Sequence, residues 1–378
     1  MPVPLNQVIR VGAYVVRQHL AGRERYPLVL MLEPLYQCNL ACAGCGKIDY
    51  PDEILKQRLS VQECLDAAVE CGAPVVAIAG GEPLLHKEMP QIAEGLLKQG
   101  RFVYLCTNAL LLQKQLDKFK PHKNFCWDIH LDGDEEMHDR SVSQKGVFTR
   151  AVAAIKAAKA KGFRVCINTT LFEGAKADRV AAFLDAIHKE GIDGVMISPG
   201  YAYERAPDQE HFLNRRRSKE LFREIFALGR GKKWKFNEST LFLDFLAGNQ
   251  SYRCTPWGKP LRTVFGWQRP CYLLGEGYAK TFAELMEDTD WSKYGTGNYE
   301  KCANCMVHSG YEATAAIDAV RHPLKTFAVH MRGPRTEGEM APEIPLDHQR
   351  PAEYVYNRHV QEKLAEMRHT HKPMADAD

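Results

Sequence analysis

From residue 28 onward, short β-branched apolar runs alternate with longer amphipathic ones at intervals of about thirty residues, a rhythm that restricts the chain to parallel strands joined by crossover helices. Six such units can be counted. Strands are expected at 28–33, 75–81, 102–108, 125–133, 164–172 and 194–201, with helices at 61–71, 89–98, 111–119, 147–161 and 179–190 between them. Gly72, Gly100, Gly162 and Gly191 end four of these helices, where a residue free to adopt the left-handed conformation makes the best stop. Six units fall short of the eight that close a barrel. The expected class is therefore α/β, a partial (β/α)6 TIM-like barrel, with its chemistry at the C-terminal ends of the strands.

The loop after the first strand carries Cys38, Cys42 and Cys45, three thiols in eight residues. Thiolates are the usual protein ligands of iron-sulfur clusters, and this spacing lets three sulfurs converge on three corners of a 4Fe-4S cube. The fourth iron is then left open to bind and reduce a small molecule. A structural zinc site wants four closed ligands, so three thiols alone fit it poorly.

The other strand ends are polar. Gly80-Gly81-Glu82-Pro83 closes the second strand, where paired glycines let a ligand approach backbone and Glu82 can accept from an ammonium group. Alternation along the strands puts Asn108 on one face with Cys106 and Tyr104, Asp132 with His130, Asp128 and Cys126, and Asn168 with Cys166 and Thr170. Glu33, Asp132 and Ser198 complete the strand-end candidates, and a carboxylate buried there needs a ligand or a partner.

On these residues the chain resembles the radical S-adenosylmethionine enzymes, whose signature is Cys-x3-Cys-x2-Cys after a first strand. The resemblance implies that S-adenosylmethionine chelates the open iron and is cleaved to methionine and a deoxyadenosyl radical. It also implies that Gly80 to Pro83 meet the methionine amino group, and that Asn108, Asn168 and Thr170 make polar contacts to the cofactor. The family usually has an aromatic residue before the last cysteine, packed near the adenine, and here Gly44 stands in that place. The wording of the loop and much of the remaining chain are similar to the hopanoid-biosynthesis subgroup. That similarity implies addition of the radical to the alkene of diploptene, a lipid substrate, and an external electron donor such as a flavodoxin or ferredoxin. The tertiary radical so formed needs a hydrogen atom. Of the thiols on the expected lumen faces, Cys106 is favoured as its donor, because it lies one side chain below Asn108. Hydrogen abstraction from a peptide or small molecule, or a non-catalytic redox-sensing role, are the rival readings.

Further along, 211–250 reads as a helical connector and 251–331 as a compact unit containing Cys254, Cys271, Cys302 and Cys305. Their spacing resembles the auxiliary-cluster module of some family members, so a second 4Fe-4S cluster is one reading, with structural zinc and unligated cysteines as the others. Residues 332–378 have the composition of a polar, mobile tail. Aromatic residues Phe125, Trp127, Tyr201, Tyr203, Phe212, Trp257, Phe265 and Trp267 are candidate walls for an apolar substrate.

Charge is nearly balanced at +3, without the basic stripe of a nucleic-acid binder. Twelve cysteines without a secretory leader point to the cytoplasm. Within 1–27, a helix at 8–20 is amphipathic, which suits either packing on the barrel or peripheral contact with the inner face of the membrane.

Overall fold

The computed structural model describes residues 3–201, 206–352 and 356–370. Six parallel strands lie side by side in chain order: β1 (Val29–Leu32), β2 (Val75–Ile78), β3 (Phe102–Thr107), β4 (Phe125–His130), β5 (Arg164–Leu171) and β6 (Gly194–Pro199). Helix α1 (Leu5–Leu20) precedes them. The crossovers are α2 (Asp52–Leu55) with α3 (Val61–Cys71), then α4 (Met89–Lys98), α5 (Leu112–Gln115), α6 (Glu135–Ser141) with α7 (Val147–Ala160), and α8 (Ala177–Lys189). Local chemistry accounts for their limits. Ser60 and Glu63 form a reciprocal capping box that starts α3, and Gly72 ends it in the left-handed conformation.

The expected strands end two or more residues sooner than their apolar character suggested, apart from those at β1, β3 and β5, because the chain turns away into cavity-lining loops. Between strands and helices lies the main core, built around Trp127, Phe125, Phe119 and Phe163, whose rings pack edge-on or stacked. The outer edge of β6 is covered by residues 235–237, since Val195 donates to the Lys235 carbonyl and Asn237 donates to the Val195 carbonyl, both at 2.8 Å.

After α9 (Arg215–Leu228) and α10 (Thr240–Leu246) come β7 (Leu261–Thr263), β8 (Gly266–Cys271) and β9 (Leu274–Ala279). Here the structure departs from the expected separate unit. β7 lies parallel on β1, with Met31 opposite Leu261, and β8 and β9 follow as an antiparallel hairpin, so one nine-stranded sheet runs β6-β5-β4-β3-β2-β1-β7-β8-β9. Three such short strands interrupted by Gly266, Gly275, Gly277 and Pro270 carry no period-two signal to read. Trp267 on β8 is fully buried against Phe282 of α11 (Phe282–Asp288) and donates to Glu70 at 3.2 Å, tying the hairpin to α3.

The end of the expected 251–331 unit is helical. Two helices form there, α12 (His308–Arg321) and α13 (Pro323–Arg332), because Pro323 cannot continue the first and opens the second at its N1 position. The expected mobile tail is also different where it is described. Ala341 donates to the Gly248 carbonyl, Glu343 pairs with Lys219, Arg350 lies 3.6 Å above the Tyr299 ring, and α14 (Tyr356–Thr370) follows. Its charges are matched by partners distant in sequence, which composition does not disclose. Residues 371–378 of that expectation lie outside the described residues.

Helix α1 seals the N-terminal ends of the strands. The Tyr104 hydroxyl donates to Gln7 at 3.0 Å, Asn6 donates to Asn124 at 3.1 Å, and Arg10 reaches the Gly100 carbonyl at 2.8 Å. Val11 closes a small apolar layer with Val75, Phe102, Tyr104, Cys126 and Cys166. The barrel is thus plugged at one end and open at the other.

Candidate active site

One cavity occupies the C-terminal ends of the strands, and every strand of the expected barrel contributes to it. It is lined by Cys38, Cys42 and Cys45, by Gly80 through Pro83, and by Cys106, Asn108, Asp132, Asn168, Thr170 and Ser198. The two other thiols expected on lumen faces, Cys126 and Cys166, are buried in the plug layer with their sulfurs 3.1 Å apart, away from the cavity. The four later cysteines also stand apart from it.

The cysteine loop is held by backbone. Gly81 N donates to the Leu35 carbonyl and Glu82 N to the Gln37 carbonyl, both at 2.9 Å, which lays the end of β2 against the run into Cys38. A Cβ on Gly81 would sit 2.1 Å from the Gln37 oxygen and 2.4 Å from the Tyr36 oxygen, so only glycine permits this approach. At the far end of the loop Lys47 is buried and ion-paired with Glu33 at 2.6 Å, and its ammonium lies 4.9 Å from the centre of the Tyr272 ring. Glu33 therefore finds the partner its burial demands.

The three thiols resist ionisation in the unligated loop. Burial pushes Cys38 up to about 11, helped by Glu82 and Cys45; burial with repulsion from Cys45 and Cys38 raises Cys42; and burial with Glu33 and Asp49 raises Cys45 against the opposing charge of Lys47. A positively charged iron cluster relieves that repulsion by binding the thiolates. The residues present thus fit a cluster on this loop with one corner facing the cavity.

Glu82 is used differently from its expected free role. Its carboxylate accepts from Thr107 Oγ1 at 2.8 Å, Leu84 N at 3.0 Å and Asn108 N at 2.9 Å. Of roughly four acceptor directions on a carboxylate, about one remains. Burial raises its pKa in spite of these donors. Asp132 is likewise engaged, accepting from Thr170 N at 2.9 Å and Ser141 Oγ at 2.6 Å and pairing with His130 at 2.9 Å. Burial opposes its ionisation, but His130 and these donors hold the carboxyl below the usual range. Both acids therefore act as braces between strand ends. Asn108 has a freer position, donating to Asn39 at 2.7 Å beside Cys38.

Sequence reasoning missed several lining groups. Phe172, at the end of β5, fills the space next to Gly44: a Cβ on Gly44 would lie 3.2 Å from its ring, and Phe212 packs behind it with ring centres 5.9 Å apart. Lys47, Lys259, Tyr272 and His308 also line the cavity. Only Lys47, two residues beyond Cys45, was signalled by a motif. Of the aromatic residues expected as walls, Tyr201 and Phe212 reach the cavity. Phe125 and Trp127 belong to the core behind the sheet, Trp267 to the hairpin, Phe265 to a stack with Tyr36 and Tyr50, and Trp257 to a pair with Trp291. Tyr203 lies outside the described residues.

Cys254, Cys271, Cys302 and Cys305 are assembled by the hairpin and the approach to α12. Burial raises the Cys254 thiol, followed by repulsion from Cys305, Cys271 and Cys302 in turn, so all four sit within electrostatic reach of one another. Among the described residues, no three cysteine sulfurs lie within 4.8 Å of one another. Zn–S bonds of about 2.3 Å would draw tetrahedral sulfurs to about 3.8 Å.

Comparison with known proteins agrees with this architecture. Residues 32–187 match the radical SAM superfamily, and residues 195–329 match a domain of unknown function, DUF3463. The chain is 26% identical over 160 residues to Fe-coproporphyrin III synthase of Methanosarcina barkeri, covering 41% of this chain and 40% of that protein. It is 31% identical over 167 residues to GTP 3',8-cyclase 1 of Mycobacterium tuberculosis, covering 41% and 46%. It thus spans less than half the length of either relative. Streptococcus suis SuiB bound to S-adenosylmethionine shares the fold, with a TM-score of 0.58 and 16% identity over 74% of this chain and 68% of that one. The barrel thus has the radical SAM α/β fold and matches that superfamily over residues 32–187; the cofactors of the superfamily are a 4Fe-4S cluster and S-adenosylmethionine.

Gly81→Ala is expected to destabilise the protein by about 1–3 kcal/mol, because backbone rather than a flexible side chain must move to admit the methyl group. Urea unfolding of the metal-free protein measures this, and an unchanged midpoint would show that the loop and β2 part without cost.

Proposed function

We propose that this radical S-adenosylmethionine enzyme joins the deoxyadenosyl group to the terminal alkene of diploptene, forming adenosylhopane. The observation that carries the reading is the thiol of Cys106, which lines the cofactor cavity and donates to Asp128 at 3.4 Å. Radical addition to an alkene leaves the new radical on the product, which then needs a hydrogen atom from the protein. An enzyme that only abstracts hydrogen has no such requirement. A thiol meets it because its S–H bond is weak, and the similarity of the sequence to the hopanoid subgroup supports the same substrate.

When bound, the cluster and S-adenosylmethionine together supply a primary carbon radical, after one electron arrives from a reduced ferredoxin or flavodoxin. The residues divide the remaining work. Cys38, Cys42 and Cys45 would hold the cluster, which would bind and reduce S-adenosylmethionine at its open site. The Gly80-Gly81 backbone and the last acceptor direction of Glu82 receive the ammonium, and Pro83 fixes the turn beside them. Asn108, Asn168, Thr170 and Ser198 meet the polar parts of the nucleoside, with Asp132 bracing Thr170. Phe172, which packs beside Gly44, would supply the aromatic contact to the adenine from the end of β5 instead of the cysteine loop.

Cys254, Cys271, Cys302 and Cys305 hold a second 4Fe-4S cluster in this proposal. Four mutually repelling thiols gathered in one neighbourhood supply the four ligands such a cluster takes.

The protein works at a membrane surface. Leu5, Val8, Ile9, Val16 and Leu20 form a stripe on one side of α1 that points to solvent, with Ile9 60% and Leu20 81% exposed, while Val15 and Gln18 face the barrel. Leu324, Phe327 and Met331 do the same on α13. Neither helix contains an acidic residue; Arg17 borders the stripe on α1, while Arg10 turns to the Gly100 carbonyl and Lys325 and Arg332 pair with Asp318 and Asp244. An outward apolar stripe on helices that carry no acidic residue suits a lipid surface. Among the described residues no helix is long and apolar enough to cross a membrane.

Three measurements test these assignments. Anaerobic incubation of reconstituted enzyme with reductant, S-adenosylmethionine and diploptene should yield a nucleoside-lipid adduct, and Cys106→Ala should lower its yield by about 10²-fold or divert it to unreduced products. Stoichiometric free deoxyadenosine without adduct would favour hydrogen abstraction instead. Replacing Cys302 and Cys305 by Ala should lower bound iron from about eight to about four per chain, and an unchanged iron content would remove the second cluster. The pair Ile9→Glu and Val16→Glu should reduce sedimentation with phosphatidylglycerol-containing vesicles by about 10²-fold while sparing reductive cleavage of S-adenosylmethionine. Equal sedimentation of both proteins would refute lipid docking.

A further inference from the structure

The floor of the cavity holds an acid that neither the cofactor nor the strand ends use. Asp128 sits on β4 directly across from Cys106 of β3 and is 1% exposed. One of its oxygens accepts from the Cys106 thiol at 3.4 Å, and the other, Oδ1, is buried without a hydrogen-bond partner. Lys259, which precedes β7 and lines the same cavity, lies within electrostatic reach of Cys106 and Asp128, and also of Glu312 and Glu238 behind them. Glu238 Oε2 and Glu312 Oε2 are likewise buried and unpartnered. Three carboxyl groups with orphaned oxygens, gathered around one amine, make a buried store of exchangeable protons.

Resting on the proposed role of Cys106, we infer that Asp128 returns the proton that Cys106 loses in each turnover, and that Lys259 replenishes Asp128. The balance is as follows. Transfer of a hydrogen atom breaks the S–H bond, forms a C–H bond on the product and leaves a thiyl radical. One further electron from the low-potential protein donor reduces that radical to thiolate. The Asp128 carboxylic acid then gives its proton to the thiolate, restoring S–H, and the carboxylate so formed takes a proton from the Lys259 ammonium, which recovers one from water. Each product thus consumes one electron to start the radical and a second electron with one proton to reset the thiol.

The surroundings suit an acid of this kind. Burial raises Asp128 to about 6, with the thiol contact, Lys259 and His130 pulling the other way, while burial and the nearby charge of Lys259 keep His308 neutral. Burial also lifts Glu312 to about 8. A carboxyl in that range holds a proton part of the time near neutrality and can give it up without a large penalty.

Asp128→Asn tests the assignment against wild type, Asp128→Glu and Cys106→Ala. In rapid-quench assays with excess reductant, Asp128→Asn should complete a first turnover within about twofold of wild type and then slow by about 10²-fold, with Asp128→Glu restoring most of the later rate. An independent readout comes from infrared spectra of the metal-free protein. A carboxylic-acid carbonyl band absent from Asp128→Asn should grow as pH falls through about 6, and should persist to higher pH in Cys106→Ala, where the thiol no longer favours the carboxylate. Unchanged later turnovers in Asp128→Asn, loss of first and later turnovers together, or no titrating band would each overturn the inference. Wild-type adduct yield from Cys106→Ala would instead overturn the donor role of Cys106 on which it rests.

Discussion

The close approach of the Gly80-Gly81 backbone to residues 35–37 is the contact on which the site depends. Two strand ends are brought together there by hydrogen bonds of 2.9 Å, with no room for a side chain between them. This contact decides where the three thiols point, because the run into Cys38 is pinned at its start and the Lys47–Glu33 pair pins it after Cys45. A loop anchored at both ends holds its sulfurs near the cavity without metal, so a cluster need not pay the full entropy of ordering them. The same geometry brings Glu82 under the end of β3, where its carboxylate gathers donors from Thr107, Leu84 and Asn108 and joins three segments into one rim.

Much of this was legible before any coordinates, for a definite reason. β1 to β6 are buried on both faces and repeat with their helices, so apolar runs and glycine stops located them, and the cysteine spacing and the Gly-Gly-Glu-Pro turn located the rim. Helices 61–71 and 89–98 coincide with α3 and α4 because capping at Ser60 and Pro at the start of α4 are local signals. What escaped was non-local. The hairpin β8–β9 takes its place from burial of Trp267 against Phe282, and β7 from pairing with β1, neither of which leaves a period in three to six residues. Phe172 could not be connected with Gly44 because 128 positions of sequence separate two residues that meet only in the folded barrel. Lys259 belongs to a stretch with no motif at all. Its significance arises only from the carboxyl groups that other elements bring near it.

The two ends of the barrel face opposite physical demands. At the strand N-termini, α1 and the layer containing Tyr104, Cys126 and Cys166 exclude water by packing. At the C-termini the cavity keeps polar groups that packing alone would have replaced, and it keeps them in pairs: Lys47 with Glu33, His130 with Asp132, Cys106 with Asp128. Buried polar groups of this density are costly unless their partners are held in place. The price is concentrated where radical chemistry needs fixed donors and is absent from the plugged end.

Asp128 is the exception within that pattern, since half of its carboxylate has no partner. An orphaned oxygen on a fully buried acid favours the protonated form, and an acid that holds a proton part of the time beside a thiol suits the proton source proposed here better than a brace. Asp132, four residues on and just past the end of β4, is also buried and shows the contrast: its oxygens accept from Thr170, Ser141 and His130, and these hold its carboxyl below the usual range. The same side-chain chemistry is therefore shifted in opposite directions at two levels of one strand end, Asp128 upward by burial and Asp132 downward by His130 and its donors. The difference lies in the donors that neighbouring elements present: three around Asp132, and around Asp128 one thiol, which itself gives up its hydrogen in the proposed reaction.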